Sequence, residues 1–80
     1  MVNDLAYQYL QQKNYDKALH YFEMNIANYP ESLNVYDSMG DFYDAKVDKQ
    51  KAIEYYTKAL TLGDFPDTKA KLEKLKSQKK

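Results

Sequence analysis

Sliding this 80-residue chain along itself by 34 positions brings like residues onto like. Leu5 falls on Met39, Ala6 on Gly40, Tyr9 on Tyr43, Lys17 on Lys51, Ala18 on Ala52, Leu19 on Ile53, Tyr21 on Tyr55, Phe22 on Tyr56 and Ile26 on Leu60. The matches recur at helical spacing, as a stacked helical repeat requires. The expected fold class is therefore all-α.

Five helices are expected, at about residues 2–12, 15–28, 32–46, 49–62 and 67–77. Tyr15, Ala18, Leu19, Phe22 and Ile26 make an i, i+3, i+4, i+7 stripe on the second, and Ala52, Ile53, Tyr56, Ala59 and Leu60 make its counterpart on the fourth. Lys13-Asn14 and Val47-Asp48 are short turns, with Asn14 and Asp48 as expected N-caps. Pro30 and Pro66 punctuate between units, since proline cannot continue a helix interior. Ser32 and Thr68 stand where a hydroxyl caps the next helix.

The pattern Val2-x-x-Leu5-Ala6-x-x-Tyr9, then Ala18-x-x-x-Phe22 and Pro30, resembles the signature of the tetratricopeptide repeat. Tyr36-x-x-Met39-Gly40-x-x-Tyr43, then Ala52-x-x-x-Tyr56 and Ala59, repeats it. The first unit departs at Val2, where a large aromatic is usual, at Ala6 for glycine, and at Asn25, which stands where the second unit has Ala59. The resemblance implies a right-handed superhelical array of antiparallel helix pairs. It implies one domain over 1–80, with repeat one at 1–30, repeat two at 31–64 and a C-terminal capping helix at 65–80. That last helix would cover the final exposed core face. Its register is set by Phe65-Pro66-Asp67-Thr68, which echoes Tyr29-Pro30-Glu31-Ser32 at a lag of 36, so that Leu72 and Leu75 correspond to Tyr36 and Met39. The alternative, a lag of 34 throughout, puts Glu73 and Lys74 where an apolar and a small residue belong.

Small residues set the helix crossings. Ala18 and Ala52 let the second helix of each unit lie close to the first, Gly40 removes a side chain at the same crossing, and Tyr9 and Tyr43 fill the space beside it. The 44% apolar and 30% charged content suits one small soluble domain, marginal in core size. With no cysteine, neither a disulfide nor a thiolate metal site adds stability. No apolar run approaches a membrane span and the start lacks a signal-peptide profile, so the chain reads as soluble, with cytoplasm and periplasm both compatible.

No catalytic constellation is legible, and the chain reads as a non-enzyme without a cofactor. His20 is the one histidine, expected on an exposed helix face, and no serine has it in a workable helical register. There is no glycine-rich phosphate loop and no zinc-ligand spacing. The nine tyrosines raise the idea of a nucleic-acid stacking platform, but Tyr9, Tyr15, Tyr36, Tyr43 and Tyr56 fall on packing positions, and nucleic acid is not expected as a partner. Tyr7 is the exception, turned by family geometry toward the concave face.

Asp37, Asp41 and Asp44 share one face of the third helix, where like charges repel by a few tenths of a kcal/mol per pair. Three readings stay open for them: a solvated polar face, a docking surface for a basic or amide-rich segment, and a divalent-cation site, the last lacking the loop geometry calcium favours. Residues 31–48 carry five acids against Lys46, and residues 67–80 carry six lysines against Asp67 and Glu73, so the chain has an acidic middle and a basic end.

The resemblance implies a non-catalytic module whose concave groove meets a peptide or protein segment. Carried over by position, that groove is lined by Asn3, Tyr7, Leu10 and Gln11 from the first unit and by Asn34, Asp37, Asp41, Asp44 and Ala45 from the second. The clamp that some family members use for acidic, carboxylate-ended tails is not expected, because Asp37 and Asp41 stand where it wants neutral or positive groups. The alternative is a structural role, through self-association to a homodimer or contact with a parent domain across Val2, Leu5 and Leu10. Residues 18–43 also resemble the helical tail that follows the catalytic domain of some bacterial serine hydrolases and esterases. That resemblance would make the chain an appended, itself inactive, domain.

Overall fold

A computed structural model describes residues 3–77. Five helices follow one another: α1, Asn3–Gln11; α2, Tyr15–Asn28; α3, Leu33–Ala45; α4, Lys49–Leu62; and α5, Pro66–Ser77. No strand occurs among the described residues, and no helix there is long and apolar enough to cross a membrane. Each helix packs on the next, the short connections turning neighbours antiparallel. Val2, expected on a packing face, and the tail beyond Ser77 lie outside the described residues.

The turn inside each unit is built twice from the same bonds. Lys13 N–H donates to the Leu10 carbonyl and Asn14 N–H to the Tyr9 carbonyl. One repeat later Val47 N–H donates to Asp44 and Asp48 N–H to Tyr43. This is the paired closure of a Schellman motif, which needs a left-handed residue at its centre. Lys13 (φ 62°) and Val47 (φ 61°) take that conformation without being glycine. Asn14 and Asp48 then cap α2 and α4, accepting from Lys17 and Lys51 N–H as expected. Ser32 precedes α3 but makes no side-chain cap bond, and Thr68 does not cap at all: it lies inside α5 with its hydroxyl turned to Asp37.

Two apolar clusters stabilise the stack. Ala6, Ala18, Phe22, Met39 and Phe42 unite α1, α2 and α3, while Ala52, Tyr56, Leu72 and Leu75 unite α4 and α5. Each large side chain withdrawn from water contributes roughly 1.5–3 kcal/mol. Gly40 is required where α3 meets α4, because a Cβ there would stand 2.5 Å from two ring carbons of Tyr56. Outside these clusters the repeat is again visible: Tyr9 stacks on Tyr21 under Lys17, and Tyr43 stacks on Tyr55 under Lys51.

The register of α5 differs from the expected one. α3 starts at Leu33 and α5 at Pro66, and buried Thr68, Leu72 and Leu75 each lie 33 positions after buried Val35, Met39 and Phe42. Leu72 and Leu75 therefore correspond to Met39 and Phe42, not to Tyr36 and Met39. The prolines misalign the units because they do different things. Pro66 is the first residue of α5, where a missing N–H is harmless, whereas Pro30 stays in the connection before α3. In this register Glu73 and Lys76, both exposed, take the places where Gly40 and Tyr43 face the partner helix of α3.

Candidate functional site

Positions 34, 37, 41 and 44 recur on one stripe of α3, and a hydrogen bond joins that stripe to α1. Tyr7, wedged edge-on against the buried Phe22 ring at 5.2 Å, donates its hydroxyl to Asp41 Oδ2 at 2.6 Å. Tyr56 reaches the other oxygen of Asp41 from α4, donating to Oδ1 at 2.5 Å. From α5, Lys71 Nζ lies 3.0 Å from Asp37 Oδ2 and 3.1 Å from Asp41 Oδ1, and Thr68 donates its hydroxyl to Asp37 Oδ1 at 2.6 Å. Side chains of three helices, α1, α4 and α5, thus converge on two carboxylates of α3.

The electrostatics follow from this convergence. Burial and then the bond to Asp41 push the Tyr7 and Tyr56 hydroxyls well above the ordinary tyrosine range, so both stay protonated donors. Burial lowers the Lys71 ammonium's hold on its proton, but the hydrogen bonds and charges of Asp37 and Asp41 outweigh it, and the net shift is upward. Its side chain is 37% exposed, against 13% for Asp37 and 24% for Asp41. The repulsion expected between the carboxylates is offset by a cation set between them.

The expected groove residues divide into two groups. Tyr7, Asp37 and Asp41 are brought together, in internal bonds, while Gln11, Asn34 and Asp44 are exposed and Leu10 is half-buried. Asn3 opens α1, its side chain lying outside the described set. Ala45 and His20 are exposed. Of the three readings left open for these aspartates, the solvated polar face describes Asp44 alone, since Asp37 is buried and Asp41 half-buried. No group of three or more histidine, aspartate or glutamate side chains that could hold a metal ion occurs among the described residues, and no pocket is enclosed there.

Thr68, Lys71 and Tyr56 were not expected at this site. Only Lys71 had a sequence signal, the basic last segment against the acidic middle of the chain, and nothing in the pattern pointed to Tyr56 or Thr68.

Comparison with known proteins adds family evidence to this geometry. Residues 33–62, which run from the first residue of α3 to the last of α4, match the family model described as tetratricopeptide repeat. Over 73 residues the chain is 28% identical to anaphase-promoting complex subunit 6 of Dictyostelium discoideum. That match takes in 91% of this chain and 8% of the relative, so the chain spans a small part of that protein's length. No solved structure matches the chain.

Proposed function

We propose, from the premise that α3 and α4 form a tetratricopeptide repeat within an all-helical array of that kind, that this protein is a non-catalytic module that binds a peptide or protein segment along its inner face. The relative it resembles is by name a subunit of a complex, which fits a part made to bind proteins. The observation that carries the reading is the division of the α3 stripe. Asp37 and Asp41 are committed to internal bonds, and Asn34 and Asp44 on α3 with Gln11 on α1 remain exposed to a partner.

This strip offers amide groups and one carboxylate. Its complement is an extended segment that presents amides and a basic side chain. An acidic, carboxylate-ended tail finds no cation there, since Lys71 is already placed between two aspartates.

Fluorescence anisotropy with three labelled unstructured peptides, one rich in lysine and asparagine, one neutral and one acidic, tests the reading. The basic peptide should bind saturably at physiological salt and lose affinity with Asp44→Lys, while the acidic one does not bind. Equal binding of all three, or tighter binding of the acidic one, overturns it.

A further inference from the structure

Nine tyrosines stand in this chain, and four of them face one another in two pairs. Tyr9 of α1 and Tyr21 of α2 stack with ring centroids 5.8 Å apart and planes 3° from parallel. One repeat later, Tyr43 of α3 and Tyr55 of α4 stack at 5.5 Å and 7°. This is the offset face-to-face arrangement, in which the edge of each ring lies over its neighbour. All four side chains are half-buried, so a small solute reaches them while the helices hold them in place. The other five are placed differently. Tyr7 and Tyr56 give their hydroxyls to Asp41, Tyr36 gives its own to the Pro30 carbonyl, Tyr15 stands edge-on to Phe42, and Tyr29 is exposed. The chain has neither cysteine nor tryptophan, and its three methionines are oxidised by oxygen transfer, a two-electron step. Tyrosine is therefore the side chain that gives up a single electron most readily.

We propose that the two stacked pairs are oxidative crosslinking sites, at which a one-electron oxidant joins Tyr9 to Tyr21 and Tyr43 to Tyr55 as dityrosine. Each ring loses one electron to the oxidant and its phenolic proton to water, leaving a tyrosyl radical whose spin is shared by the carbons ortho to oxygen. Two such radicals within one pair form a carbon–carbon bond between ortho positions. The hydrogen on each bonded carbon then moves to its oxygen and restores both phenols. Each crosslink thus consumes two equivalents of oxidant and releases two protons. The stack directs this coupling within the chain. Lys17 lies over Tyr9 and Lys51 over Tyr43, at 5.4 and 5.3 Å from the centroids, so an ammonium occupies ring surface that a second molecule would otherwise meet. Each crosslink ties the two helices of one unit together and closes a loop in the chain, as a disulfide does. The proposal is independent of what binds the inner face.

Photo-oxidation of the dilute chain with tris(bipyridine)ruthenium(II) and persulfate, followed by peptide mapping in the mass spectrometer, tests it. The monomer should gain dityrosine fluorescence and lose the mass of two hydrogens per crosslink, with linked peptides joining Tyr9 to Tyr21 and Tyr43 to Tyr55. Tyr21→Phe keeps a ring in the stack and should delete the first link alone, and Tyr55→Phe should delete the second alone. In urea, where the stacks are lost, the links should scatter over all the tyrosines. The map of the unaltered chain decides even where a variant fails to fold. Absence of dityrosine, dityrosine confined to covalent dimers, monomer links that join other tyrosines, or the same two links in the urea-unfolded chain overturns the proposal.

Discussion

Tyr7 donates its hydroxyl to Asp41, the residue one full 34-residue repeat further along the chain. Equivalent positions of successive units are thus bonded to each other, and the first unit is tied to the second by a polar contact as well as by Phe22 and Phe42. Tyr7→Phe keeps the edge-on packing against Phe22 and deletes only this bond. It should cost about 1–2 kcal/mol in urea unfolding, the range for a hydrogen bond to a charged group that keeps other donors. A variant as stable as the parent would show the bond to be without consequence.

The same cluster makes the fold sensitive to alkali. Tyr7, Tyr56 and Lys71 all hold their protons more tightly when folded than at their ordinary values of 10.0 and 10.5. Below those values both states are protonated and the stabilisation is complete. Above them the unfolded chain loses protons first, so unfolding is favoured as pH rises. Stability should begin to fall as the pH rises through the ordinary values of 10.0 and 10.5 and keep falling above them, less steeply in Tyr7→Phe. Parallel profiles for the two chains would remove Tyr7 from the cause.

The two glycines should respond differently to alanine. In a helix, Gly→Ala gains roughly 0.5–1 kcal/mol from backbone entropy. At Gly40 the new methyl meets the buried Tyr56 ring, whose hydroxyl is held by Asp41, so the ring cannot yield freely. Overpacking of roughly 1–3 kcal/mol should win, and the melting temperature should drop. At Gly63 the methyl meets only the Cδ2 end of Leu33, on extended backbone that any residue adopts, and the change should stay within about 0.5 kcal/mol. Similar losses at both sites would contradict this distinction.

Val47 is a β-branched residue in the left-handed conformation with 88% of its surface exposed. Left-handed backbone costs an L-residue roughly 1–2 kcal/mol that glycine avoids. With so little contact to lose, Val47→Gly should raise stability by about 1 kcal/mol, read from the urea midpoint. A loss of stability would mean that unfolded-state entropy outweighs the relief of strain.

Helices α1 to α4 were legible because stripes such as Ala18, Leu19, Phe22 and Ile26 recur, and Asn14 and Asp48 mark their starts. The register of α5 was not, because Phe65-Pro66-Asp67-Thr68 copies the residues before α3 while the chain uses Pro66 as the first turn of a helix. Three buried side chains are too few to correct a misleading local match. The stripe on α3 was legible as a face, but the partners of Asp37 and Asp41 come from α1, α4 and α5, and periodicity within one helix carries no information about bonds across units. The left-handed turns were hidden for a similar reason, since Lys13 and Val47 lack the glycine that normally signals them.

The most direct test of the functional account is an amide NMR titration of the ¹⁵N-labelled chain with the lysine- and asparagine-rich peptide. Shifts concentrated at Gln11, Asn34 and Asp44, with Thr68 and Leu72 of α5 unmoved, are the result predicted for a partner lying along the inner face. Shifts spread over the outer side, around Leu5 or the exposed His20, or no saturable shifts at all, would contradict it.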